Sequence, residues 1–388
     1  MRVEAEWLTS RGALAVMRAL VGAGHQAFFV GGCVRNAVLG AAATDVDIAT
    51  DAVPERVMEV AKGAGLKAVP TGIEHGTVTV VADGQGFEVT TFRRDVETDG
   101  RRAVVAFSGS LEEDARRRDF TMNALYADAD GQVTDPVGGL PDLAARRVRF
   151  IGNPHDRICE DYLRILRFFR FHAWYADPEG GIEAEAFAAC AELAEGIETL
   201  SRERIGAEML KLLAAPDPAP AVASMAACGV LLRVAPGAGA LTLAPLVHVE
   251  SRLGLPPDPI ARLAALGGED LPDRLRLSKA DARRLARLSE AAASGAGAAE
   301  LGYRLGAEDG LRALALDLAM RGAEPDPVSG ETVQNGAART FPVAAADLPP
   351  DLQGAAIGAR LAQLERAWID SGFTLIRERL LALPDEDA

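Results

Sequence analysis

The sequence has little from which to build a disulfide or zinc framework. Its four cysteines (Cys33, Cys159, Cys190 and Cys228) include no Cys-x-x-Cys pair, and no histidine cluster accompanies them. They read as reduced, mostly buried thiols of a cytoplasmic protein. Long apolar runs are missing as well. None reaches membrane-spanning length, and the first residues lack the pattern of a signal peptide, so no membrane partner is expected. Aromatics are sparse at 5%, and positive charge is outweighed, with 41 Lys and Arg against 56 Asp and Glu for a net −15. Such a balance is unusual for a chain that handles nucleic acid, unless the charge is unevenly spread. It is uneven: residues 1–175 carry a net −3, and the remainder carries −12. Residues 146–170 hold seven arginines against Asp156, Glu160 and Asp161, a local +4. Phosphate contact depends on this local field rather than on the total. At 388 residues and 49% hydrophobic content, the chain is globular and long enough for two to four packed units.

What is present centres on residues 26–50. Gln26 to Val30 is a short apolar run that reads as a buried strand, and it ends in Gly31-Gly32. The segment Gly31-Gly32-Cys33-Val34-Arg35-Asn36 then opens a helix, and Asp45-Val46-Asp47 follows. A Gly-Gly pair between strand and helix lets backbone N–H groups approach a phosphate, although such a pair also fits an ordinary turn. In a strand, residues two apart share a face, so Asp45 and Asp47 form a candidate site for a hard cation such as Mg²⁺. Residues 72–81 and 87–92 alternate like two strands of a hairpin. Glu88 would then supply a third carboxylate, or equally a solvent-facing strand position. Residues 93–111 are charged and turn-rich and read as a mobile surface loop.

The stretch Arg117-Arg118-Asp119-Phe120-Thr121-Met122-Asn123-Ala124 follows acidic residues suited to a helix start. Further on, Glu160-Asp161-Tyr162-Leu163-Arg164 lies in a segment, 158–171, whose apolar spacing predicts one amphipathic helix. Asp161 and Arg164 would share its face, which also fits a plain i,i+3 ion pair. Ser201-Arg202-Glu203-Arg204-Ile205 reads as a capped helix start, and Pro216 and Pro218 mark a boundary. Beyond it the chain is helical, with residues 322–339 loop-like.

In this order the motifs resemble the polymerase-β-like nucleotidyltransferases, and more closely the family of class II CCA-adding tRNA nucleotidyltransferases and bacterial poly(A) polymerases. That family's first motif is Gly-Gly-x-Val-Arg-Asp followed by Asp-x-Asp; Asn36 stands here where Asp is usual. The resemblance implies an α+β fold. A nucleotidyltransferase head at 1–145 would be followed by an all-helical neck at 146–215, body at 216–320 and tail at 321–388. It further implies addition or repair of the 3′-terminal CCA of tRNA from CTP and ATP. Poly(A) synthesis, or addition of C-C or A alone, are the alternatives within the family. By the same resemblance, Asp45 and Asp47 would hold Mg²⁺ with Glu88 beside them, and Gly31, Gly32 and Arg35 would line the triphosphate. Arg118, Asp119 and Asn123 would hold phosphate and ribose, and Asp161 and Arg164 would read the base. Asp161 can accept from the exocyclic amine that cytosine and adenine share, and uracil and guanine present a carbonyl there.

Overall fold

The computed structural model describes residues 1–42, 45–98, 103–350 and 352–384. Thr44, beside the acidic pair, therefore lies outside the described residues. The chain forms two compact units, Met1–Gly237 with Asp273–Arg276, and Ala238–Pro272 with Leu277–Ala388.

The first unit opens with α1 (Arg11–Gly22), whose first turn is capped by the Ser10 hydroxyl accepting from the Ala13 N–H. Strand β1 (Ala27–Val30), helix α2 (Gly32–Val38) and strand β2 (Asp47–Thr50) follow, then α3 (Pro54–Gly63). Three further strands are β3 (Lys67–Gly72), β4 (Thr77–Ala82) and β5 (Gln85–Thr91). A separate hairpin comprises β6 (Arg93–Thr98) and β7 (Ala103–Phe107). Next come α4 (Leu111–Arg116), β8 (Tyr126–Ala127), β9 (Val133–Thr134) and α5 (Gly139–Ala144). The seven-stranded sheet runs β3-β4-β5-β2-β1-β8-β9. Among the described residues, only β2 and β5 pair in parallel, in a register that sets Asp47 opposite Glu88. Helices α1 and α3 cover one face. On the other, Val30, Ala49, Phe92, Ala115, Ala124 and Tyr126 form a buried cluster.

The helical part of this unit contains α6 (Pro154–Glu160), α7 (Leu163–Tyr175), α8 (Ala184–Glu192) and α9 (Arg202–Leu213). Phe120, just after the Arg-Asp motif, stacks on Phe150 (4.8 Å between centroids) and on Phe171 of α7 (4.9 Å). That aromatic seam packs α7 against the sheet domain. Ser201 caps α9 through the Arg204 N–H, as expected.

Three expectations change. Within the expected loop at 93–111, residues 93–98 and 103–107 are strands: β6 and β7 pair in antiparallel register, and 99–102 lie outside the described residues. The segment 158–171 is two helices rather than one, because Asp161 takes an extended conformation (φ −159°, ψ 107°) between α6 and α7. Residues Ser329–Ala337, expected to be loop-like, form a helix.

The second unit is helical. Helix Pro259–Leu266 starts at Asp258, whose carboxylate accepts from the Ile260 and Ala261 N–H groups at 2.9 Å each and also pairs with Arg284 and Arg312. Arg262, 2% exposed, pairs with Glu250 at 2.8 Å inside the unit. Toward the C-terminus, Tyr303, Phe341, Trp368 and Phe373 form an aromatic cluster. Among the described residues, no helix is long and apolar enough to cross a membrane.

Candidate active site

Asp47 begins β2 and Asp45 lies two residues before the strand, so the pair brackets the strand's entry instead of sharing its face within the sheet. Glu88 sits opposite Asp47 on β5. All three carboxylates line one cleft of about 1160 Å³, with Trp7, Thr79 and Phe87 in its wall. Burial, and then the like charge of Glu88, raise the Asp47 carboxyl above its ordinary range; Arg118 opposes this and Asp45 adds to it. An excess of negative charge at a half-buried point suits a bound cation. Among the described residues, no three Asp, Glu, His or Cys side chains close into a complete ligand cage. An open carboxylate edge fits a cation that keeps water and phosphate oxygens among its ligands.

Gly31 joins β1 to α2 at φ +73°, a conformation that favours glycine. Its N–H donates to the Leu125 carbonyl, so that group is already used; Gly32 is the first helical residue. A Cβ on Gly31 would stand 3.6 Å from Nη1 of Arg118, an ordinary contact, so the glycine is required by its φ and the guanidinium lies directly beside the turn. Arg118 is aimed by a buried clamp. Its Nε donates to the Tyr126 hydroxyl (3.0 Å), its Nη2 donates to Asp114 (2.9 Å), and Tyr126 itself donates to Asp114 (2.7 Å). Asp114 also accepts from the Arg93 N–H, which ties the base of β6 to the same carboxylate. Sequence reasoning missed Asp114 and Tyr126, although Asp114 and Arg118 stand four apart.

Asp119 and Asn123 are buried, at 8% and 7% exposed, and both are engaged. Asp119 accepts from the Phe120 N–H, the Asn123 amide and, through its other oxygen, Arg167 Nε at 2.8 Å. Against the cost of burial, the Arg167 charge and these hydrogen bonds hold its carboxyl well below the usual range. Asn123 accepts from Arg35 Nη1 at 2.5 Å. Arg35 is equally buried and does not line an open phosphate site. It donates to Asn123, to the Asn36 side-chain oxygen and, at 2.7 Å, to the Tyr175 hydroxyl, with the Tyr175 ring 4.0 Å from its guanidinium carbon. Asp119, Asn123 and Arg35 thus form a connected network with Arg167 and Tyr175 of α7.

Asp161 and Arg164 do not pair. Asp161 accepts from the Leu163 N–H at 3.1 Å, starting α7, and from Arg204 of α9 at 2.7 Å. Arg164 donates to Glu160 and to the Arg157 carbonyl (2.7 Å). Glu160 also binds Arg157, whose guanidinium reaches the carbonyls of Arg117 and Arg118. The two candidate base readers therefore lie in the α6–α7 break and in the first turn of α7, each held by a residue to which the sequence reading gave no site role, Arg204 and Glu160. The basic stretch is also less open than its composition implies. Arg147 and Arg149 pair with Asp142, Arg167 with Asp119, and Arg170 with Glu208.

Comparison with known proteins places these residues in context. A model described as "Poly A polymerase head domain" matches residues 27–149, and one described as "Probable RNA and SrmB- binding site of polymerase A" matches 181–241. The CCA tRNA nucleotidyltransferase 1, mitochondrial, of Homo sapiens is 39% identical over 211 residues, covering 54% of this chain and 49% of its own length. A CCA-adding enzyme of Streptococcus pyogenes serotype M2 is 44% identical over 218 residues, covering 56% of this chain and 52% of its own length. The matched region thus spans about half the length of these curated relatives. Over nearly the full length, the crystal structure of the Bacillus stearothermophilus CCA-adding enzyme in complex with CTP matches with a TM-score of 0.75 and 30% identity, covering 96% of this chain and 95% of that one. The Thermotoga maritima CCA-adding enzyme complexed with tRNA shares the fold at a TM-score of 0.68 and 20% identity, covering 98% of each chain.

Proposed function

We propose, for a chain that belongs to the family of CCA-adding tRNA nucleotidyltransferases and bacterial poly(A) polymerases, that it adds or repairs the 3′-terminal CCA of tRNA using CTP and ATP and releases pyrophosphate. The observation that carries this reading is the Asp47–Glu88 pair, whose Asp47 feels the charge of Arg118, the guanidinium that lies beside Gly31. One side offers carboxylates for hard cations and the other a clamped guanidinium for phosphate oxygens. Asp45 and Asp47 would hold Mg²⁺, with Glu88 adjacent. When bound, such ions lower the pKa of the attacking hydroxyl and neutralise charge on the departing phosphates.

The chain's own residues divide the remaining work. Arg118, fixed by Asp114 and Tyr126, holds the phosphates. Asp119 and Asn123 shape the ribose side from within their buried network, and Arg35 braces them from beneath. At the α6–α7 break, Arg164 donates to base acceptors and Asp161 accepts from the exocyclic amine of cytosine or adenine. Uracil or guanine would set a carbonyl against the Asp161 carboxylate, which leaves two acceptors unpaired. Reduced thiols fit work in the cytoplasm, and the division into head, neck, body and tail at 145, 215 and 320 belongs to the same proposal.

The test supplies purified protein with tRNA transcripts ending before CCA, after one C and after both Cs, with CTP, ATP or both and Mg²⁺. Two C additions followed by one terminal A, then arrest, are expected on a sequencing gel. A long ladder from ATP alone would identify a poly(A) polymerase instead. Arrest after C-C, or addition of A alone, would identify a partial enzyme.

A further inference from the structure

The α6–α7 break is seated on another element of the same unit. Tyr162 stands in the break between Asp161 and Leu163, and Gly196 lies in the 3₁₀ turn Ala194–Thr199 that precedes α9. A Cβ on Gly196 would fall 2.0 Å from Tyr162 Cδ1, 2.2 Å from Cε1 and 2.4 Å from Cγ. The ring therefore lies directly against the bare Cα, and any side chain at 196 would displace it. Gly196 does not take a positive φ, so the demand is for space and not for backbone freedom. The turn has little room to retreat. The Gly196 N–H donates to the Leu193 carbonyl (3.0 Å), its carbonyl accepts from the Thr199 hydroxyl (2.7 Å), and its neighbour Ile197 is buried. On its outer side, Arg233 of helix Val230–Val234 pairs with both Glu195 and Glu198. The ring is the part that must give.

We infer that Tyr162 and Gly196 are positioning residues for nucleotide choice, a ring-on-glycine seat that sets where Asp161 and Arg164 stand. Tyr162 belongs to the same hydrogen-bonded turn as both. The Arg164 N–H donates to the Asp161 carbonyl at 3.0 Å, and the Ile165 N–H donates to the Tyr162 carbonyl at 3.1 Å. Displacing the ring therefore shifts the backbone that carries the two side chains. Their carboxylate and guanidinium are steered from the other side by Arg204 and Glu160, so the seat fixes the height of the turn and those partners fix its direction. The inference deepens the reading of Asp161 and Arg164 as base readers and rests on it.

The test uses the full chain as Gly196→Ala, Tyr162→Ala, Tyr162→Phe and the double variant Gly196→Ala with Tyr162→Ala, and Arg164→Ala beside them. Equilibrium dialysis gives the Kd for CTP and UTP, single-nucleotide addition to a tRNA transcript lacking CCA gives KM and kcat, and melting is followed in parallel. Gly196→Ala is expected to weaken CTP binding and raise its KM about tenfold, with UTP binding within about twofold and kcat within about threefold of wild type. Tyr162→Phe keeps the ring and should match wild type within about twofold. Because the added methyl acts through the ring, Gly196→Ala should have no further effect once Tyr162→Ala has removed that ring. A merely structural contact would lower the melting temperature and kcat and leave the CTP-to-UTP ratio unchanged. That result, or an equal effect of Gly196→Ala with and without the ring, overturns the inference. Should Gly196→Ala not fold, an unchanged ratio in Tyr162→Ala overturns it as well. A ratio narrowed by Arg164→Ala but not by Gly196→Ala rejects the seat and leaves the base reading intact; equal binding of CTP and UTP by the wild type rejects both. If the wild type prefers CTP yet incorporates no nucleotide, the proposed function falls and the binding ratios still decide the seat.

Discussion

At the scale of single residues, the candidate site holds two carboxylates with opposite electrostatic standing. Asp47 has its carboxyl raised by burial and by Glu88. A folded-state value above the unfolded one means that the folded chain retains a proton which the unfolded chain has released. Stability therefore falls as pH rises through that window and stays lower above it. Asp47→Asn should abolish incorporation, yet raise the melting temperature of the metal-free protein by about 1–3 °C at pH 7. The gain should vanish below about pH 4. A scan across pH in chelator checks the sign. Asp119 is the reverse case. Its carboxyl is held below the usual range by Arg167 and Asn123, so its stabilisation is present above the unfolded value and is lost as pH falls. Asp119→Asn, which leaves Arg167 with only the more distant Glu208 carboxylate (3.8 Å), should cost about 3 kcal/mol at neutral pH by urea denaturation, with a smaller difference in acid. The motif residues themselves were legible in the sequence because their types and order are specific. Their partners were not: Asp119 to Arg167 spans 48 residues and Asp161 to Arg204 spans 43, distances over which no local pattern speaks.

Among the secondary-structure elements, the departures from the sequence reading have long-range causes. Helical spacing runs unbroken from 158 to 171, but Asp161 gives its carboxylate to the Leu163 N–H and to Arg204, and the helix restarts there. Ser329–Ala337 contains two glycines and five polar residues, a poor helix by intrinsic preference. It forms because it lies against helix Ala298–Arg321 at backbone distance. A Cβ on Gly336 would come within 2.0 Å of the Ala299 carbonyl, and one on Gly302 within 2.0 Å of the Val333 carbonyl. The β6–β7 hairpin hid behind a charged composition and is fastened by Asp114 to the Arg93 N–H and by the Ser108 N–H to the Phe92 carbonyl. By contrast, the β4–β5 hairpin and its place beside β2 followed directly from alternation. Two outcomes belong at this scale. Gly336→Ala should destabilise the protein by about 2–4 kcal/mol in denaturant titration, since backbone on both sides must move. Arg164→Ala, at the start of α7, should narrow the preference for CTP and ATP over UTP and GTP by about tenfold in single-nucleotide assays. Unchanged discrimination would remove Arg164 from base reading.

For the molecule as a whole, the sequence reading of an α+β head followed by helices agrees with the fold, and the compact units divide near Gly237. Charge is where composition and structure part company. The stretch 146–170 looked like a positive field awaiting phosphate, but the arginines of α7 already face carboxylates: Arg164 with Glu160, Arg167 with Asp119, and Arg170 with Glu208. Arginines already neutralised from within neutralise few phosphates, and so few condensed cations leave the RNA when it docks. Seven open arginines would give a log–log slope of affinity against salt concentration near −6; with six of the seven paired internally, a slope of about −1 from this stretch is expected for tRNA binding in filter assays from 50 to 300 mM KCl. Such binding would persist through swings of ionic strength that strip most proteins from RNA. Discrimination would then rest on shape and hydrogen bonding, with little help from bulk attraction.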